Sequence, residues 1–161
     1  MTTVVVSFPG SGRTDSSKRL KLIDVDFKLI ELDDYKGDES YPANMVEDVV
    51  DMIKSRKHKL FLLPSDSDLM DGLVANKIKF IIFCPHMKLK DEYIKRLREQ
   101  EGKEDIINYL DQHWEDVIKA TNGFANNNFK LVAMIELSER NEKLYEALLA
   151  QRIVRNPRAA T

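Results

Sequence analysis

The chain has 161 residues, of which 43% are hydrophobic and 32% are charged, and its formal net charge is −2 at pH 7. This length and composition predict a single globular domain over residues 1–154, followed by a frayed tail at 155–161. A net charge so near zero excludes a global field that would attract nucleic acid or a membrane surface, so a nucleic-acid partner is not expected.

The cysteine content and the lack of long apolar runs predict the compartment. Cys84 is the single cysteine and lies in the apolar run 80–84, which excludes an internal disulfide and favours a buried, unreactive thiol in a reducing environment. No run approaches the length of a membrane span, and residues 1–15 lack the pattern of a signal peptide. We therefore expect a cytoplasmic protein with no membrane partner.

The first predicted strand, at about Thr3–Ser7, runs into a glycine-bearing turn and then into a helix at about Gly12–Leu20. The connecting residues Ser7–Thr14 read SFPGSGRT. They follow the phosphate-loop pattern G-x-x-x-x-G-K-[ST], with serine at the first glycine and arginine at the lysine. A loop of this kind, between a strand and a helix, binds phosphate through its backbone N–H groups.

Each residue type in this loop suits an anion. Gly10 and Gly12 allow the backbone to turn its N–H groups inward. Arg13 places positive charge where a lysine would stand, although its planar fork is bulkier and differently aimed. Thr14 offers a hydroxyl to a magnesium ion. The alternative is a plain strand–turn–helix connection that is rich in glycine.

The next stretch is harder to interpret. Residues 22–32 hold one or two short strands, the second at Lys28–Leu32, and a polar turn-rich loop follows. On a strand, Asp24 and Asp26 would point to the same face, where they would flank a magnesium ion or an acceptor hydroxyl. The alternative is a strand end that is rich in carboxylates.

The remainder of the chain alternates between helical and strand-like apolar patterns. The predicted elements are a helix at 41–53, a strand at 60–63, a helix to about 76, a strand at 78–83, helices at 89–100 and 103–121, a loop at 124–128, a strand at 130–137 and a helix at 139–152. Such alternation is typical of a parallel sheet covered by helices on both faces. We predict a three-layer α/β sandwich with a mainly parallel sheet of about five strands.

Several polar and aromatic residues receive structural interpretations. Asp66 and Asp68 are predicted to cap the helix after the third buried strand, and Ser138 is predicted to cap the last helix. Trp114 falls on the apolar stripe of its helix, which favours the core over a base-stacking role. The basic run Lys54–Lys59 is typical of a solvated helix end, with contact to a phosphate backbone as the alternative.

Three segments of the chain resemble one group of proteins, the small phage-type P-loop nucleotide kinases. The family's segment FP-x-NYI-x-HI resembles residues 41–53, which read YPANMVEDVVDMI. Its block YP…LK-x-EYI-x-RY-x-x-RG…FI…L-x-x-NWD-x-WI resembles residues 79–102, KFIIFCPHMKLKDEYIKRLREQEG, and 105–118, DIINYLDQHWEDVI. With the loop, the resemblance covers roughly residues 3–120.

The resemblance implies the nucleoside monophosphate kinase fold and transfer of the γ-phosphoryl group of ATP to a nucleotide-like or small-molecule acceptor, with Mg²⁺ bridging the phosphates. Arg96 matches an arginine of the family's lid and would stabilise the transferring group. Thr14 and Asp26 are the expected metal ligands. The donor phosphates would be held by Gly10, Ser11, Gly12, Arg13 and Thr14.

The chain also departs from the family at positions that matter for phosphate chemistry. The loop lysine is Arg13, and the second lid arginine is Glu101, whose charge would repel a phosphate. An Asp-Ser-Asp-rich stretch of the family has only residues 24–26 or 33–34 to stand in for it. The histidine that follows the family's third strand is missing between Pro64 and Ser67.

Three hypotheses about function follow. The first is an active nucleotide kinase in which Arg13 replaces the lysine. The second is a catalytically degenerate P-loop protein that binds a protein partner. The third is a kinase of a modified base in DNA, against which stands the lack of a strong basic face.

Overall fold

The computed structural model describes residues 2–138 and 143–155. The strands are β1 (Thr3–Ser7), β2 (Phe27–Leu29), β3 (Leu60–Pro64), β4 (Phe80–Pro85) and β5 (Val132–Leu137). The helices are α1 (Arg13–Leu22), α2 (Ala43–Lys54), α3 (Ser67–Ala75), α4 (Lys90–Arg98), α5 (Glu104–Asn127) and α6 (Leu144–Ala150). Short 3₁₀ turns lie at Leu32–Asp34 and Met87–Leu89. Within the described ranges, no helix is long and apolar enough to cross a membrane.

The five strands form one parallel sheet in the order β2-β3-β1-β4-β5. β1 lies at the centre, with Val5 opposite Leu62 of β3 and Ile81 of β4. All five residues of β3 and four of the five residues of β1 are buried, since helices cover both faces of a parallel sheet. The predicted α/β class with about five parallel strands is confirmed.

The connections place the helices in two layers. A parallel crossover is almost always right-handed, so α1, which leads from β1 to β2, lies on the face opposite to α2, α3 and α5. The helix contacts agree, because α1 packs on α6 while α2 packs on α3. The sheet therefore forms the middle layer of three, and every loop that follows a strand lies at its carboxyl edge.

An aromatic cluster supports the loop that follows β1. The Phe8 ring lies edge-on to those of Tyr93 and Trp114, with centroids 6.3 and 5.5 Å apart. The Trp114 indole N–H donates to the Met87 carbonyl at 2.7 Å, so the buried indole nitrogen has a hydrogen-bond partner. The predicted core position of Trp114 is confirmed. Cys84 is also buried, and burial raises the pKa of its thiol to about 12, as an unreactive cysteine requires.

The fifth helix is longer than predicted. The stretch 124–128, predicted as an asparagine-rich loop, continues α5 as far as Asn127. Phe124 packs against Phe80 with ring centroids 6.3 Å apart, and Ala125 is buried. This tertiary packing outweighs the weak helix propensity of the asparagines. The helix is kinked at His113, whose φ is −125°.

Two further expectations are wrong. The residues around Asp24 do not form a strand, because Asp24 has a φ of +55° in the turn between α1 and β2. The last helix is not continuous from 139 to 152, because Lys143 is extended and α6 begins at Leu144. Ser138 therefore does not cap α6. The predicted helical residues 139–142 and residues 156–161 of the predicted tail lie outside the described residues. In contrast, Asp66 caps α3 as predicted, accepting from the Leu69 N–H at 3.0 Å.

Candidate functional site

The loop between β1 and α1 is built around two glycines with left-handed backbone. Gly10 has a φ of +87° and Gly12 a φ of +94°. Ser7 ends β1 between Pro64 of β3 and Phe83 of β4, and its carbonyl accepts the Ser65 N–H at 3.1 Å. The loop therefore starts from the most buried part of the carboxyl edge, where the chain has little freedom to move.

Arg13 folds back into this loop. Its Nη1 donates to the Ser7 carbonyl at 2.9 Å and to the Ser7 hydroxyl at 3.4 Å. Burial lowers the pKa of Arg13, and the nearby Glu31 carboxylate opposes that shift. The guanidinium thus lies inside the curve of the loop, against the strand end.

Arg96 reaches the same loop from α4. Its Nη1 donates to the Gly10 carbonyl at 3.2 Å, and its Nε lies 3.3 Å from the Glu92 carboxylate. The guanidinium also lies over the Tyr93 ring, 4.9 Å from the centroid. The structure therefore brings Arg13 and Arg96, which are far apart in sequence, onto the backbone of one loop.

Three buried donors around the loop lack a hydrogen-bond partner among the residues described. They are the hydroxyls of Ser11 and Ser16 and the Nε of Arg13. A buried polar atom without a partner costs about 1–3 kcal/mol, so such atoms cluster where a ligand or water completes the bonding. The Ser11 carbonyl is engaged, because it accepts the Leu144 N–H at 2.8 Å and so ties the loop to α6.

The two predicted metal ligands do not meet. Thr14 is exposed in the first turn of α1, at the carboxyl edge of the sheet. Asp26 precedes β2 at the amino edge of the sheet, which lies about 13 Å from the carboxyl edge along the five residues of β1. There it accepts from the Lys59 N–H at 3.2 Å and lies 2.8 Å from His58 Nδ1. The expectation of a metal site shared by Thr14 and Asp26 is not met.

Other carboxylates occupy the carboxyl edge beside the loop. Glu31 follows β2 and lies close enough to Arg13 to affect its pKa. The pKa of Tyr41 is raised by burial and by the charges of Asp66, Asp68 and Asp33. No group of three or more His, Cys, Asp or Glu side chains in the described part of the chain is placed to hold a metal ion by itself. Glu101 is exposed in the turn between α4 and α5.

Glu31 and Ser16 are the site residues that sequence reasoning missed. Glu31 was placed inside a predicted strand at 28–32, whereas β2 ends at Leu29. The sequence signal that points to Glu31 is its position as the first acidic residue after a strand, because parallel strands bring such residues to one edge of the sheet. Ser16 carries no signal beyond its place in the first turn after the loop.

No protein-family model matches the chain, and no curated protein matches it. Among solved structures, shikimate kinase from Bacteroides thetaiotaomicron is similar, with a TM-score of 0.51 and 15% sequence identity over 94% of this chain and 96% of that chain. The fold is that of a P-loop kinase. An uncharacterized protein from Eubacterium ventriosum aligns over 94% of this chain and 97% of its own, with a TM-score of 0.48 and 15% identity.

In this P-loop kinase fold, Ser7–Thr14 stand directly after the central strand, where the sequence pattern predicted a phosphate loop. The fold likeness extends over nearly the whole chain, although the resemblance seen in the sequence stops near residue 120. It concerns architecture, because 15% identity is too low to carry over individual site residues.

Proposed function

We propose that this chain is a P-loop phosphotransferase that moves the γ-phosphoryl group of ATP to a hydroxyl of a small acceptor. The observation that supports it best is the convergence of Arg13 and Arg96 on one loop backbone. Phosphoryl transfer requires positioning and cations that follow the moving charge rather than covalent chemistry from the protein. Two arginines on a glycine-bearing loop supply both requirements.

The residues present fit a triphosphate. Gly10 and Gly12 let the loop turn its N–H groups toward an anion, and the unpartnered hydroxyls of Ser11 and Ser16 are donors for phosphate oxygens. Arg13 would balance the charge of the β- and γ-phosphates once its contact with Ser7 is exchanged for the ligand. Its Nε, buried and unpartnered, is a further donor.

Thr14 is the candidate protein ligand for Mg²⁺. Its exposed hydroxyl stands in the first turn of α1, and Mg²⁺ in kinases is held mainly by phosphate oxygens and water, so one protein ligand suffices. When bound, the ion supplies charge neutralisation on the donor phosphates.

The acceptor would stand at the carboxyl edge of β2 and β3. Its hydroxyl would attack the γ-phosphorus as the bond to the bridging oxygen of ADP breaks. Glu31, which follows β2 and whose charge raises the pKa of Arg13, is the candidate to take the hydroxyl proton. The carboxylates around Tyr41 would repel a monophosphate, which favours a neutral or amine-bearing alcohol over a nucleotide acceptor.

ADP release tests the proposal, measured with ATP–Mg²⁺ against nucleoside monophosphates and against neutral and amine-bearing alcohols. We expect turnover with at least one acceptor, reduced about 100-fold or more in Arg96→Ala. Arg98→Ala is the matched control, because Arg98 is exposed on the same helix. ATP binding is followed separately by thermal unfolding of the wild type and of Thr14→Ala. The proposal fails if no acceptor is phosphorylated, or if the two arginine variants lose activity equally.

The inward packing of Arg13 favours a second candidate, a protein that binds nucleotide without turnover. The hydrogen bond to Ser7 must break before Arg13 can contact a phosphate. A lysine at this position would carry a compact ammonium group on a flexible stem, without the planar fork of arginine. Arg13→Lys separates the two candidates. A gain of ATP-dependent turnover from an inactive wild type supports the second, and a loss of turnover supports the first.

A further inference from the structure

Basic side chains gather at the amino edge of the sheet, opposite the phosphate loop. The loops that lead into parallel strands all reach this edge, so residues that are far apart in sequence become neighbours there. The Lys and Arg residues of these loops and of the adjoining helix ends are Lys21, Lys54, Arg56, Lys57, Lys59, Lys77, Lys79, Lys130, Arg152 and Arg155. The described acids of the same loops and helix ends are Asp24, Asp26 and Asp51.

The few acidic side chains at this edge offset only part of the positive charge. Asp26 is engaged with His58 Nδ1 and with the Lys59 N–H, at 2.8 and 3.2 Å. Asp24 lies in the turn before β2, with a φ of +55°. A helix end needs only one or two cations to balance its dipole, whereas the loop between α2 and β3 alone carries Arg56, Lys57 and Lys59.

A cavity with an exposed aromatic ring opens at the same edge, over the starts of β1, β4 and β5. Its volume is about 280 Å³, and Phe80, Ile81 and Val132 are among the apolar residues that line it. Lys79, Lys130 and the Phe129 side chain stand at its rim. Phe129 is 72% exposed, so a large apolar ring is open to solvent beside the cavity.

The basic edge and the cavity form one continuous surface. The Thr3 N–H donates to the Lys59 carbonyl at 2.8 Å, and the Thr2 hydroxyl lies 3.4 Å from the His58 carbonyl. Thr2 and Thr3 also line the cavity. Five strands at about 4.8 Å spacing make the edge about 19 Å wide.

We propose that this amino edge binds single-stranded nucleic acid, with the lysines and arginines on the phosphates and Phe129 stacked on a base over the cavity. Sequence-tolerant binding of single strands combines such a basic path with exposed aromatic rings. A basic surface that binds an acidic protein or a membrane through charge does not require an aromatic ring beside a cavity large enough for a base. The amino edge lies about 13 Å from the phosphate loop. The bound nucleic acid is therefore kept away from that loop and is not its phosphoryl acceptor.

Fluorescence anisotropy with a labelled dT20 oligonucleotide tests this proposal over 50–200 mM salt. We expect binding by the wild type that weakens with salt, as release of counterions requires. Lys79→Glu with Lys130→Glu should weaken binding at least tenfold and reduce the slope of log K against log salt by about 1.4, for two phosphate contacts. Phe129→Ala should weaken it about 5- to 100-fold with an unchanged slope.

The matched control is Lys36→Glu with Lys95→Glu, which makes the same charge change at exposed positions away from the amino edge. Three results would overturn the proposal. They are no binding of dT20 at 50 mM salt, an equal loss in the control double variant, and binding of phosphatidylserine vesicles without binding of dT20. All of the substituted side chains are exposed, and circular dichroism of each variant verifies that it folds.

Discussion

Gly10 lies where the loop between β1 and α1 passes beneath α4, a position that favours glycine. Its φ of +87° is in the left-handed region. An added Cβ would lie 3.1 Å from Tyr93 Cδ2 and 3.5 Å from Leu97 Cγ. Gly12 has the same backbone requirement, with a φ of +94°, but nothing lies within 4 Å of its Cβ position. Both backbone conformation and packing therefore favour glycine at Gly10, whereas only backbone conformation favours it at Gly12.

We expect Gly10→Ala to lower the free energy of unfolding by about 2–3 kcal/mol and Gly12→Ala by about 1 kcal/mol. The difference arises because only the first adds a contact with the ring of Tyr93. Urea unfolding followed by circular dichroism measures both values. Equal losses in the two variants would show that the approach of α4 to the loop does not constrain Gly10.

At the scale of elements, a side-chain contact joins the residues that precede two neighbouring strands, β2 and β3. Asp26 stands before β2, whereas His58 and Lys59 stand before β3, and Asp26 joins them through its two carboxylate oxygens. The hydrogen bond with His58, aided by that from the Lys59 N–H, lowers the pKa of Asp26. A carboxyl predicted as a metal ligand therefore has a structural partner on the next strand.

This contact should make part of the stability depend on pH. The pKa of Asp26 is lower in the folded chain than in the unfolded one, so its contribution is present above the ordinary pKa of about 3.9 and is lost as pH falls through the folded value. Urea unfolding between pH 2.5 and 6 should show a smaller acid dependence in Asp26→Asn than in the wild type.

Asp24→Asn is the control for this experiment. Asp24 has a φ of +55°, which asparagine also tolerates, so this variant removes a nearby carboxylate and leaves the contact of Asp26 in place. If Asp26→Asn unfolds with the same pH dependence as the wild type, the contact does not contribute to stability.

At the scale of the whole molecule, the two edges of the sheet differ in charge although the chain as a whole is nearly neutral. Glu31, Asp33, Asp66 and Asp68 stand at the carboxyl edge near the loop, while the lysines and arginines of the lead-in loops stand at the other. The net charge of −2, which sums 25 basic and 27 acidic residues over the whole chain, does not show this uneven placement. A field that the composition seemed to exclude is therefore present locally.

The prediction of a single domain is tested by the cooperativity of unfolding. One apolar core runs from β1 through Phe8 and Tyr93 to Trp114, so a local loss of packing should spread through the sheet and both helix layers. We expect far-ultraviolet circular dichroism and Trp114 fluorescence to give the same urea midpoint. Two separate midpoints would show that α4 and α5 unfold apart from the sheet.

Most of the fold could be predicted from local sequence patterns. The β-branched run of β1, the buried run of β3 and the glycines of the loop predict their structure directly, because a strand or turn of this kind depends on its own residues. The sequence was less reliable where packing decides, as at Phe124, whose contact with Phe80 extends α5 through a stretch that resembles a loop.

By itself the sequence determined the α/β class and the position of the glycine-bearing loop after β1, since strand and helix periodicity and glycine spacing act over a few residues. Only the tertiary structure decided which charges meet. It places Arg13 and Arg96 on one loop, separates Asp26 from Thr14, and gathers lysines from several loops beside Phe129. The physical reason is that the order of strands in the sheet, which no short segment encodes, decides which ends of the elements become neighbours.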